Sequence, residues 1–194
     1  MAQKTREDAH RLLRKYIQNS ALRTHAYAVE ATMRYFAREY GENEEEWGII
    51  GLLHDLDWEQ FPQDHCKVTE KILREEAYPE SYITAILSHG WNICTEVKPQ
   101  KVMEKVLYAI DELTGLIIAT ALVRPSQSLL DTKVSSVKKK WKSSRFAAGV
   151  NRDVIQQGAD MLDMDLDILI KKTLTALQGA AASLGLDGSQ AANA

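Results

Sequence analysis

Apolar residues recur along this chain at three- and four-residue intervals, the period of a helix with one buried stripe. Thr5 followed by Asp8 resembles a capping box, and Ala9, Leu12, Leu13, Tyr16 and Ile17 then fall on one face of a first helix. A second runs from about residue 21 to 40 and stops at Gly41. Asn43 caps a third, whose first turn of Glu44, Glu45 and Glu46 suits the helix dipole and which leads into the apolar run Ile49, Ile50, Gly51, Leu52, Leu53. After a loop at Phe61-Pro62, helices are predicted over residues 65–77, 79–89 and 99–123, with proline near the start of the last two, and Pro125 ends the run. No stretch alternates convincingly as a strand does and no long period repeats, so the fold class is all-α, with neither sheet nor solenoid.

Beyond Ser126 the character changes. Lys133, Lys138, Lys139, Lys140, Lys142 and Arg145 form a basic patch, and Asn151 and Asp165 are placed to cap two further helices. From Gly179 the tail GAAASLGLDGSQAANA holds few large apolar groups to offset its ordering entropy, so it is expected to fray.

Length and composition, 194 residues with 45% hydrophobic and 26% charged, suit an ordinary globular protein with one sizeable core. A net charge of -3 gives no global field to attract nucleic acid or a membrane surface, so neither is expected as a partner, and a phosphate-bearing substrate must be held by a local site. A run such as Lys138 to Lys142 ordinarily makes a solvated helix face. The opening MAQKTREDAH lacks the apolar stretch of a secretory signal, and the longest mostly apolar run, around 113–123, is too short to span a bilayer, so the expected location is cytoplasmic. Cys66 and Cys94 make no CxxC pair and read as two reduced thiols packed as small hydrophobes.

Four of the five histidines stand where a helical core would put an apolar residue. His25 has Ala21, Leu22, Ala28 and Val29 at helical spacing, so its ring lies on an apolar face and needs a partner for its nitrogens. His54 and Asp55 end an apolar helix and carry an imidazole and a carboxylate inward together; the second carboxylate oxygen leaves Asp55 able to reach another ion. Asp111, among Leu107, Tyr108, Gly115 and Ile118, poses the same problem on a later helix. Singly, each of these also reads as a hydrogen-bonded core residue, a helix cap or a partner of an arginine. Together they are a plausible incomplete metal shell, since histidine and carboxylate suit Mn, Fe, Zn or Mg and leave positions for water and substrate.

The segments RTHAYAVEA with His25, GLLHDLDWE with His54 and Asp55, and LYAIDELTG with Asp111 resemble the HD superfamily of metal-dependent phosphohydrolases. DHCKVTEKIL, with His65, and AILSHG, with His89, resemble the two further histidines of its HDIG-type branch, although this chain reads His54-Asp55-Leu56-Asp57 at the motif and His89-Gly90 where some members have a double histidine. The resemblance covers roughly residues 21–123. It implies an HD-type metal-binding helical domain over 1–125, beyond which the caps and composition already described give a helical extension packed on it over 126–178 and a flexible tail over 179–194. It further implies one ion on His25, His54, Asp55 and Asp111, with Asp55 bridging to a second on His65 and His89; Fe, Mn, Zn, Ni, Co or Mg are the candidate ions.

The activity so implied is hydrolysis of a nucleotide or another small phosphate ester by a metal-activated water. Asp57 and Glu59 are candidate catalytic residues for orientation or proton transfer, with an exposed loop acid as the alternative for either. Lys67, Lys101 and Lys105 lie near the motif helices as candidate cations for a phosphate, although lysines there usually form a solvated face, and Trp58 and Trp91 are placed to wall a pocket against a base or sugar or to pack a core. His10, beside Arg6, Glu7 and Arg14, reads as a surface residue. Two other readings are a di-iron oxygenase of the HD fold, which uses the same four His and two Asp ligands, and a non-catalytic helical module that binds nucleotide or a protein.

Overall fold

The computed structural model describes residues 4–189. The regular elements among them are α1 (Arg6–Tyr16), α2 (Ser20–Tyr40), α3 (Glu44–Leu53), α4 (Lys67–Glu75), α5 (Glu80–Ser88), α6 (Val102–Leu122), α7 (Val134–Trp141), α8 (Arg152–Met161) and α9 (Leu166–Gly179), with one 3-10 turn at Pro62–Asp64. Strand-like pairing among the described residues is confined to two isolated bridges, Trp91 with Thr95 and Ser128 with Asp187, so the fold is all-helical. No described helix is long and apolar enough to cross a membrane. The chain forms two compact units, Met1–Tyr108 and Ala109–Ala194, which divide within α6.

In the first unit the caps read from the sequence are in place. Thr5 and Asp8 close a reciprocal capping box on α1, Gly41 ends α2, and Asn43 Oδ1 accepts from the N–H groups of Glu45 and Glu46. Asn19 caps α2 in the same way through Ala21 and Leu22, which sets its start at Ser20. The core is built from Leu13, Met33, Phe36, Ile49, Ile50, Leu52, Leu53, Leu73 and Ile86, all at most 1% exposed. Each such side chain contributes about 1.5–3 kcal/mol by its removal from water.

Helices α2 and α3 approach closely because α3 carries Gly51 at the contact. A Cβ there would lie 2.9 Å from Met33 Cγ and 3.1 Å from the Val29 carbonyl oxygen. The same end of α3 leads into His54, so this contact helps set where the imidazole stands. Farther along, Glu30, 4% exposed, accepts from Arg6 Nε at 2.6 Å and Arg34 Nε at 3.0 Å, while Arg34 Nη1 donates to Glu45 at 2.9 Å. This network ties α1, α2 and α3 together.

The second unit is packed from Ile110, Leu113, Leu116, Ile117, Leu129, Val137, Ile155, Ile170 and Leu177, each fully buried. Asn151 and Asp165 cap α8 and α9 as their positions in the sequence suggest. The basic run lies in α7, whose N-terminus has no side-chain cap hydrogen bond to announce it. Residues 180–189, whose composition predicts fraying, are held in part: Ala181, Leu184 and Leu186 are buried, and Leu186 O accepts from Leu129 N at 2.8 Å. The rest of the expected tail, 190–194, lies outside the described residues.

Candidate metal centre

Asp55 is the hub of a histidine cluster in the first unit. It follows α3, whose C-cap His54 keeps helical angles (φ -58, ψ -39), so the last turn of the helix carries His54 into the interior at 0% exposure. His89 is delivered the same way as the C-cap of α5. His65 and Cys66 stand before α4, and Cys66 has φ 69, ψ -40, which stops the helix from beginning at His65 as the sequence predicts. For a non-glycine residue that conformation costs on the order of 1–3 kcal/mol. His25, partly buried, comes from α2.

The distances place each oxygen of Asp55 against its own pair of imidazoles. Oδ2 lies 3.4 Å from His54 Nε2 and 3.9 Å from His25 Nε2. Oδ1 lies 3.5 Å from His65 Nε2 and 3.4 Å from His89 Nε2, and those two nitrogens are 3.1 Å apart. Three of the rings are held by protein acceptors at Nδ1: His54 by Gly51 O at 2.8 Å, His89 by Ile86 O, and His65 by Asp57 Oδ1 at 2.7 Å. A neutral imidazole that donates from Nδ1 presents a lone pair at Nε2, so all three turn their lone pairs toward Asp55. Two acceptor nitrogens 3.1 Å apart repel each other unless a proton or a cation lies between them. These donors fit a divalent ion. His25, His54 and Asp55 also offer ligand atoms within 4.8 Å of one another.

The electrostatics agree with a site made for positive charge. Burial works against ionisation of Asp55, but His54 and then His89 hold its carboxyl well below the usual carboxylate range. Burial likewise favours the neutral form of His65, yet its hydrogen bond to Asp57 and the charge of Asp55 leave the imidazole above its ordinary value.

Asp57 and Glu59 part company. Asp57 is fully buried behind His65: Oδ1 accepts from His65 Nδ1, and Oδ2 accepts from Thr69 N at 2.8 Å. Its geometry is that of a residue that orients the ring, one of the two roles expected for it. Glu59, also a catalytic candidate in the sequence, has its carboxylate on the α1–α2 turn, where Oε2 accepts from Gln18 N at 2.7 Å and Asn19 N at 2.9 Å. That contact anchors the α1–α2 turn.

Asp111 is a half-buried residue of α6 within the second unit. Trp58, 44% exposed, stands edge-on to His65 with ring centroids 4.9 Å apart, and a narrow apolar cleft lined by Leu13, Leu22, Leu52 and Trp58 reaches Asp55. Trp91 packs instead on Tyr108 and under Lys98. Lys67, 72% exposed beside Asp64, belongs to the solvated surface, Lys101 is exposed and Lys105 half-buried. His10 bonds Tyr27 at 2.9 Å.

Sequence reasoning missed the surroundings of His65. Thr69 holds Asp57, and Cys66 Sγ lies within 4.8 Å of ligand atoms of His65 and His89. Cys66 and Cys94 share a hydrogen bond at 3.2 Å, a contact between residues far apart in the chain. The His65-Cys66 dipeptide was the one available signal.

No characterised protein and no solved structure gives a match to this chain. The family model described as the HD domain matches residues 22–131, which is 110 of the 194 positions and includes the whole of α6. With more than half its length so matched and histidines and aspartate gathered as described, the chain belongs to the HD domain family, whose members are generally metal-dependent phosphohydrolases.

Proposed function

We infer that the protein is a metal-dependent phosphohydrolase of the HDIG type, acting on a nucleotide or another small phosphate ester in the cytoplasm. The observation that carries this reading is the two-sided use of Asp55, one oxygen toward His25 and His54 and the other toward His65 and His89. Asp111 on α6 is the fourth ligand on the His25 side, and the HD-type domain then extends to residue 125, with 126–178 as its helical extension and 179–194 as its tail.

A bound divalent cation of the Fe, Mn, Zn, Ni, Co or Mg group would supply a water acidic enough to ionise near neutral pH and would neutralise charge on a phosphoryl oxygen. The chain's own residues prepare the place. Asp55 supplies negative charge to both sides. Backbone carbonyls and Asp57 fix three imidazoles in one tautomer, so that no ligand has to reorient on binding. Leu13, Leu22, Leu52 and Trp58 border Asp55 with apolar surface, a setting in which charge interactions are stronger than in water.

Elemental analysis of the purified protein, followed by a screen of nucleotides and general phosphatase substrates with added Mn or Co under anaerobic conditions, tests the reading. Stoichiometric metal and turnover that Asp55→Ala abolishes are expected. Metal-free protein that stays inactive with every added ion would overturn it, and turnover that requires oxygen would assign the site to the oxygenase chemistry of the same fold.

A further inference from the structure

Both thiols of the chain gather beside the His65–His89 pair. Cys66 is wholly buried, and its Sγ lies within 4.8 Å of ligand atoms of both rings. Asp55 Oδ1 and the two Nε2 atoms already make a nearly regular triangle with sides of 3.1, 3.4 and 3.5 Å. An ion seated on such a face needs one more donor to become tetrahedral. Consecutive residues normally point apart, but the positive φ of Cys66 turns it and His65 into the same interior.

Gly90 makes the arrangement possible. A Cβ at that position would stand 2.9 Å from Cys66 Sγ and closer still to Cys94 Sγ, so the two sulfurs fill the space that any side chain there would take. Cys94 then lies against Cys66 at 3.2 Å, within reach to share a hydrogen with its sulfur.

We propose that Cys66 is a thiolate ligand of the ion held by His65, His89 and Asp55, with Cys94 as the hydrogen-bonding partner of the coordinated sulfur. The proposal rests on the reading that Asp55 faces two ions. The thiol proton of Cys66 leaves to solvent as the metal–sulfur bond forms. Two imidazoles, one thiolate and one carboxylate oxygen favour a thiophilic ion such as zinc or ferrous iron over magnesium, which demands oxygen ligands. Four protein donors would complete a tetrahedral shell at this seat, and the sulfur-bound ion would anchor Asp55.

Titration of the reduced, metal-free full chain with Co(II), followed by absorbance, decides the matter without any substrate. Two equivalents are expected to bind, one of them with the near-ultraviolet charge-transfer band of a cobalt–thiolate bond. Cys66→Ser should lose the band and bind that equivalent roughly tenfold or more weakly. Cys94→Ser should keep the band, and His65→Ala should lose band and equivalent together; circular dichroism checks that each variant is folded. Two equivalents with no band in the parent would overturn the sulfur ligand while leaving the two-ion reading intact. A band lost in Cys94→Ser and kept in Cys66→Ser would overturn the assignment to Cys66. A single equivalent, or none, would bring down the two-ion reading and this proposal with it.

Discussion

The interiors of the two units differ in kind. Among the described residues, the buried polar side chains of Met1–Tyr108 include Glu30, His54, Asp57, His65, His89 and Glu104, all ionisable; those of Ala109–Ala194 are Thr114, Thr120, Ser128, Thr132 and Thr173, hydroxyls only. Burying an ionisable group is costly unless it is paired, whereas a hydroxyl is easily satisfied by its own helix, as Thr120 is by Leu116 O. Glu30 has Arg6 and Arg34, and Glu104 accepts the N–H groups of Gln100 and Lys101. His54, His89 and His65 are held at Nδ1 by Gly51 O, Ile86 O and Asp57, and converge on the single carboxylate of Asp55. The first unit therefore buries ionisable groups that converge on Asp55, and the second buries only hydroxyls among apolar side chains.

Substitutions should separate the two sharply. Asp55→Ala removes the shared carboxylate and is expected to lower turnover by about a thousandfold, corresponding to several kcal/mol of transition-state stabilisation, with the fold retained by circular dichroism. Leu177→Ala in the second interior should do the reverse: a loss of about 3 kcal/mol and a fall in Tm on the order of 10 °C, with unchanged turnover per folded molecule. If Leu177→Ala instead lowered kcat at full stability, the contrast between the units would fail.

Smaller effects sharpen the same contrast within the first unit. Asp57→Asn cannot accept both from His65 Nδ1 and from Thr69 N, so metal affinity should fall by about 10- to 100-fold, read by competition with a chelator. A drop in kcat with metal affinity unchanged would move Asp57 from orientation to proton transfer. Glu59→Ala should cost about 1 kcal/mol by freeing two N–H groups at the start of α2 and should leave turnover as it is, which thermal melts and initial rates together will check.

Much of this was legible in the sequence because polarity set against a helical pattern needs no tertiary knowledge. His25, His54, Asp55 and His89 stand out as polar residues where the period calls for apolar ones, and Asn43, Asn151 and Asp165 announce their helices through local hydrogen bonds. What was illegible depended on distant contacts. Asp57 and Glu59 sit two residues apart in one turn, and only the arrival of His65 on one side and of the α1–α2 turn on the other separates their roles. The start of α4 slipped because Cys66 adopts a conformation that no propensity favours. Residues 180–189 read as polar and small, yet Ala181, Leu184 and Leu186 are buried and hold that stretch in part.

Electron paramagnetic resonance of the Mn(II)-loaded protein tests most directly whether Asp55 joins two ions. Two manganese ions per chain with an exchange-coupled spectrum, replaced by the signal of isolated ions in Asp55→Ala, are expected. A parent spectrum of isolated manganese alone, at one ion or fewer per chain, would contradict a shared carboxylate at the centre of the site.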